Sequence, residues 1–240
     1  MTSPRFNFDE HIIYNNAGLL VVNKPPFIPS LDERNFTTTS LLQLLRKKFP
    51  SVQLCHRLDR ETSGIMITAT SNEVFKKVNK LFEDRAIAKE YHAIVDGVKK
   101  METLEISLPI RETKKATVVI DHAGKPAHTI FNSIEFFRHF TLLSCKPTTG
   151  RMHQIRVHLA SQNTPITGDL LYGGKLPMMS WIKRNYKMAK YAEEKPIFDR
   201  VALHARTISF ELDGEHLSFE APYPKDLEVF LKILGRYDTF

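Results

Sequence analysis

The chain has 240 residues, 42% hydrophobic and 25% charged. This is the composition of an ordinary globular protein, long enough to bury roughly 70% of its unfolded surface. The two cysteines, Cys55 and Cys145, exclude a disulfide scaffold; each lies beside apolar residues and reads as a buried thiol in a reducing compartment. The formal net charge of +7 suits a polyanionic partner. No apolar run approaches the roughly 20 residues of a membrane span, and MTSPRFNFDEH lacks the apolar stretch of a signal peptide, so the expected location is the cytoplasm.

Ile12–Tyr14 and Leu19–Asn23 read as short strands around a turn at Asn15-Asn16-Ala17-Gly18, and Lys24-Pro25-Pro26 ends the second strand because proline cannot donate to a ladder. A helix is predicted over 40–49, with Leu41, Leu44, Leu45 and Phe49 as its apolar stripe, Thr39 or Ser40 as its cap and Pro50 as its stop. A strand follows at 65–69, then a helix over 71–85 with Val74, Phe75, Val78, Leu81 and Phe82 at helical spacing. Strands are predicted at 91–96, 116–120, 129–137 and 141–145, and a helix over 151–161. Alternation at Ile208, Phe210 and Leu212 marks a strand with one buried face, and a last helix covers about 227–234. Strands joined mostly by turns, with few helices, point to an α+β fold with a mixed, mainly antiparallel sheet and flanking helices. With no repeat or low-complexity linker, one domain over 1–240 is the simplest description.

Two stretches concentrate chemistry. His56-Arg57-Leu58-Asp59-Arg60-Glu61-Thr62-Ser63-Gly64 crowds ionisable groups between apolar segments. A carboxylate held beside arginines stays charged, ready as nucleophile or base; the plainer alternative is a salt-bridged surface loop. In Gly150–Leu159, Met152, Ile155 and Leu159 share one helix face, with His153 and Arg156 on another. Spacing alone favours an amphipathic helix with a solvated basic side. His153 and His158 stand five positions apart, which does not suit paired metal ligands on one face, and no Cys/His cluster has zinc spacing, so no metal site is expected.

Taken together, these stretches resemble the RluA-type family of pseudouridine synthases. HRLDRETSG at 56–64 matches the family signature around its catalytic aspartate, and GRMHQIRVHLA at 150–160 matches a second signature. LLVVNKPP at 19–26, KEYHAIVDG at 89–97, PITGDLLYGG at 165–174 and ALHA at 202–205 resemble further motifs in the family's order, so the resemblance spans about 11–235. It implies a pseudouridine-synthase-like catalytic domain that isomerises uridine to pseudouridine in structured RNA (ribosomal RNA or tRNA), without a cofactor and as a monomer. It implies that Asp59 attacks the sugar C1′ or removes the 2′ proton, the choice staying open. Arg57 matches the residue that replaces the flipped uridine in the RNA stack. Arg156 matches the arginine that pairs with the catalytic carboxylate, so an Asp59–Arg156 salt bridge is expected. Tyr91 matches the tyrosine that stacks on the base and moves a proton at C5, and Leu203 the aliphatic wall of the uracil pocket. His56 and Arg60 of the signature are grouped with the RNA-binding residues. Lys24 corresponds by the resemblance to a structural lysine near the site, against the alternative of a solvated strand end.

The chain departs from the family pattern at Met152, where Thr or Ser is usual, and at Thr164, where His is usual. Its strand pattern begins at His11, which leaves no room for the small basic RNA-binding module that many relatives carry at the N terminus. The connection 175–200 is long and carries Lys183, Arg184, Lys187 and Lys190 with Trp181, Tyr186 and Tyr191. Ile182, Tyr186 and Ala189 fall at helical spacing, so a short amphipathic helix facing RNA is expected there, against the alternative of a solvated surface helix. Two other function classes share these features: a non-catalytic RNA-binding protein, which needs no carboxylate near phosphates, and an N-glycosidase, which would release free uracil.

Overall fold

The computed structural model describes residues 6–32, 38–113, 117–188 and 192–240. Its first half runs α1 (Phe8–His11), β1 (Ile12–Asn16), β2 (Leu19–Lys24), α2 (Leu41–Arg46), β3 (Gln53–Leu54), β4 (Ser63–Ala69), α3 (Asn72–Glu83), β5 (Ala88–Asp96), β6 (Leu104–Ile106), β7 (Ile110–Glu112) and β8 (Val118–Ile120). There follow β9 (Thr129–Phe136), β10 (Phe140–Pro147), α4 (Gln154–Ser161), a 3-10 turn (Leu170–Tyr172), α5 (Met179–Ile182), β11 (Leu203–Leu212), β12 (Glu215–Glu220) and α6 (Lys225–Tyr237). The fold is α+β with a mixed, mainly antiparallel sheet, as the strand and turn pattern predicts. The described residues group into two compact units, one reaching to Tyr91 and including His204–Pro224, the other comprising His92–Leu203 and Lys225–Phe240.

In the first unit β1 and β2 form a hairpin that turns at Ala17-Gly18, where both residues have positive φ. β2 pairs antiparallel with β4, and β4 pairs antiparallel with β3 and parallel with β11. Both faces of β4 are covered. Ile65, Ile67 and Ala69 pack with Val74 and Val78 of α3, while Met66 packs with Leu41 and Leu45 of α2. Burial on both faces explains why LLVV and GIMI read as continuous apolar runs rather than alternations. Gly64 sits where β4 meets β11, at φ +113°, and a Cβ there would fall 2.2 Å from the Ala205 carbonyl oxygen. Only glycine fits that register.

α2 and α3 are shorter than their apolar stripes suggest. Ser40 and Ser71 are the caps, their hydroxyls accepting from the Gln43 and Val74 N–H groups. β11 continues into β12 through Asp213-Gly214, both at positive φ, a hairpin that the apolar pattern does not predict.

In the second unit β10 pairs antiparallel with β9, and β9 with β6; β7 and β8 form a separate ribbon. α6 covers Phe140 and Phe198 with Phe230. Arg200 is fully buried and anchors this helix through a bidentate pair with Asp226, at 2.5 and 2.9 Å.

Two helix expectations are corrected here. The helix of the second motif begins at Gln154, because His153 takes the left-handed conformation and 152–153 form a turn. Its polar residues are not a solvated side: Gln154, Arg156 and His158 are all buried. The helix expected around Ile182 and Tyr186 is only Met179–Ile182, since Lys183 is already extended. Ala189, Lys190 and Tyr191 lie outside the described residues, as does Ala116 of the strand expected at 116–120.

Candidate active site

Asp59 lies in the loop between β3 and β4, and the first unit holds the backbone on both sides of it. On the N-terminal side, the buried Ser30 hydroxyl donates to the Leu58 carbonyl at 2.7 Å and accepts the Leu58 N–H at 3.1 Å. On the C-terminal side, the Asp59 carbonyl accepts from Thr62 N–H at 3.1 Å. The Arg60 carbonyl accepts from Phe27 N–H at 2.8 Å and from Lys24 Nζ at 3.1 Å. Lys24 is fully buried at the end of β2, and its ammonium also donates to the carbonyls of Pro25 and Ile28. Burying an ammonium is tolerable only when its donors are satisfied. Three carbonyls do that here, and the lysine thereby ties the KPP turn to the Asp59 loop.

Tyr91 of β5 packs among Leu58, Met66 and their neighbours in the same core cluster. Burial first, and the charge of Asp59 second, push its phenol above the ordinary tyrosine range. The phenol therefore stays protonated, within the field of the Asp59 carboxylate. Arg57 is exposed, whereas Arg60 is half-buried and directs its Nε toward the Phe27 carbonyl at 3.4 Å.

His56 turns inward. Its Nε2 accepts the Ile67 N–H at 2.9 Å and its ring packs 4.9 Å from that of Phe82. Burial, with Lys89 nearby as the lesser cause, lowers its pKa to about 3, so the ring is a neutral acceptor at ordinary pH. Cys55 beside it is raised to about 12 by burial and cannot serve as a thiolate.

In the second unit, the Arg156 guanidinium makes a bidentate pair with Asp169, Nε to Oδ2 at 2.7 Å and Nη2 to Oδ1 at 2.8 Å, and lies 5.1 Å above the Tyr172 ring. The Tyr172 hydroxyl accepts from Val118 N–H and bonds His153 Nδ1 at 2.9 Å. Gln154 ties α4 to the strands: its Oε1 accepts from Thr149 and Arg151, and its Nε2 donates to the His128 carbonyl and to Thr129 Oγ1. His158 reaches Thr129 Oγ1 and the Leu108 carbonyl. Sequence reasoning misses Asp169 and Tyr172 as partners of Arg156, although both sit in the GDLLYGG motif. Leu203 is buried at the start of β11. Lys183 is half-buried with its ammonium 5.2 Å from the Tyr237 ring, and Arg184 is exposed.

The profile of the RNA pseudouridylate synthase family matches residues 18–161. The chain belongs to that family. A ribosomal large subunit pseudouridine synthase D from Vibrio parahaemolyticus is 31% identical over 95% of this chain and 71% of its own length. An uncharacterized RNA pseudouridine synthase from Helicobacter pylori is 36% identical over 91% and 76%. Among solved structures, the human RNA pseudouridylate synthase domain containing 4 superposes with a TM-score of 0.74 at 23% identity, over 95% of this chain and 94% of that one, and so shares the fold. The RluA-type resemblance of the two signatures is borne out, and this pseudouridine synthase is an isomerase that converts uridine to pseudouridine in RNA. Among the described residues no helix is long and apolar enough to cross a membrane.

Proposed function

We propose that this synthase modifies ribosomal RNA of the large subunit, with Asp59 as its catalytic carboxylate. The observation that carries the assignment of Asp59 is the clamped backbone around it, with the protonated Tyr91 in its field. A uridine inside a helix or tight loop cannot turn C5 toward C1′; it must leave the stack, which costs a few kcal/mol. The exposed guanidinium of Arg57 fills the gap, since it is planar and donates in its plane. The freed uracil then rests against the Tyr91 ring, a flat surface that holds it while it rotates. Tyr91, with its proton retained, serves the C5 position. The resemblance of its motif gives Arg156 a catalytic role, and Asp169 orients its guanidinium. His56 and Arg60 support the RNA-contacting loop, and Lys183 and Arg184 supply phosphate contacts. The isomerisation changes no oxidation state and adds no group, so the reading needs neither cofactor nor metal. The protein acts as a monomer in the cytoplasm.

The RNA is assigned from the relatives, whose names specify the ribosomal large subunit. The test maps pseudouridine in cellular RNA with the parent protein and with Asp59→Asn, which keeps shape and removes charge. The expected result is loss of large-subunit sites with RNA binding retained. Activity in a cleanly purified Asp59→Asn protein would overturn the catalytic assignment. Loss confined to tRNA would overturn the substrate, and release of free uracil would make the enzyme a glycosidase.

A further inference from the structure

Ser30 lies outside both signatures, yet its hydroxyl is the side-chain group that engages both hydrogen-bonding atoms of the residue preceding Asp59. It is buried, donates to the Leu58 carbonyl at 2.7 Å and accepts the Leu58 N–H at 3.1 Å. That carbonyl belongs to the Leu58–Asp59 peptide. A peptide plane has no soft torsion of its own, so fixing its oxygen fixes the direction in which the chain enters Asp59. The following turn is fixed independently, by Thr62 N–H on the Asp59 carbonyl and by Lys24 and Phe27 on the Arg60 carbonyl. Met66 Sδ lies 3.6 Å from the Ser30 hydroxyl. One small hydroxyl thus closes the N-terminal half of a clamp whose C-terminal half is the KPP turn.

From this geometry we infer that Ser30 is a positioning residue for the isomerisation, acting through the Leu58–Asp59 peptide and touching no substrate. The inference rests on Asp59 being the catalytic carboxylate. A buried carbonyl and N–H that lose their partner re-orient to find another. Displacement of a reacting group by about 1 Å costs on the order of a hundredfold in rate. Ser30→Ala removes the hydroxyl and little volume, while Ser30→Thr keeps the hydroxyl.

The experiment measures kcat, KM and RNA affinity on one RNA substrate for the parent, Ser30→Ala, Ser30→Thr and Asp59→Asn, each checked for folding by thermal melting. Ser30→Ala is expected to lose about a hundredfold in kcat with KM and RNA affinity near parent values, and Ser30→Thr to recover most of the loss. A folded Ser30→Ala with parent kcat overturns the inference. So does a loss shared between kcat and KM that Ser30→Thr fails to repair, since that marks general damage to the fold. Should Ser30→Ala not fold, Ser30→Cys, with a weaker donor of similar size, decides: a clear fall in kcat at held KM supports the role, and parent kcat overturns it. An active Asp59→Asn would instead sink the underlying assignment of the carboxylate, whatever the serine variants do.

Discussion

His56 opens the HRLDRETSG motif, and the resemblance of that signature groups it with the residues that meet RNA. Its surroundings give it a different role, in which Nε2 holds the Ile67 amide of β4 and Phe82 covers the ring. Because burial lowers its pKa to about 3, below the ordinary value of 6.5, the unfolded chain takes up this proton first as the pH falls. Stability is then complete above about 6.5 and is lost on acidification through the window down to about 3, at up to about 1.4 kcal/mol per pH unit. His158, lowered mainly by burial, adds to the same trend. Denaturant titrations at pH 7, 5.5 and 4.5 check this: the parent should weaken steadily, and His56→Gln, which keeps an acceptor without titrating, should weaken less. Equal slopes would mean that the folded ring takes up its proton at the same pH as the unfolded one. The motif makes Asp59 legible because its residue order is distinctive. It cannot reveal Lys24, Ser30 or Asp169 as partners, since a hydrogen bond between a side chain and a distant residue leaves no local pattern. Lys24 is marked only by its place in NKPP, and Ser30 by nothing.

At the scale of elements, legibility follows the period of the apolar residues. α3 and α6 have one apolar stripe each, and the stripe locates them to within a few residues. α4 is legible as a helix but not in character: buried apolar and buried polar residues alternate around it, so spacing cannot separate a solvated side from a hydrogen-bonded interior. β12 has a signal in Asp213-Gly214, a turn pair after an alternating strand. Within 175–200, α5 stops at Ile182 because Lys183 leaves the helical conformation, so the side chains of 183–188 follow an irregular backbone. Trp181 and Tyr186 are exposed at 46% and 38%, with the exposed Arg184 and Lys187 beside them in sequence. Exposed aromatic faces among cations suit unpaired bases and their phosphates. Replacing Lys183, Arg184, Lys187 and Lys190 together by Ala is expected to weaken RNA affinity roughly tenfold or more at moderate salt, with kcat at saturating RNA little changed. Parent affinity in a folded variant would make this segment structural decoration.

For the whole molecule, the question is how much of the +7 charge reaches RNA. Lys24, Arg156 and Arg200 are buried and engaged with protein groups. Lys77 pairs with Glu73 and Asp213, Lys80 with Asp84, Lys100 with Glu102 and Lys232 with Glu228. Each of these surface pairs contributes little to stability and leaves its lysine partly neutralised by a carboxylate. The phosphate contacts therefore come first from the other basic residues among the 34. Each phosphate neutralised adds about 0.7–0.9 to the log–log slope of affinity against salt, so a few contacts predict a slope of about −2 to −4. RNA-binding titrations between low and moderate salt check it. Asp59→Asn should keep that slope, since its side chain faces the sugar and not a phosphate in the proposed site, whereas the fourfold variant in 175–200 should flatten it. A flat response in the parent would mean that the net charge plays no part in holding RNA. A slope far steeper than this range would mean that the surface ion pairs open on binding, freeing lysines that the structure shows engaged with carboxylates.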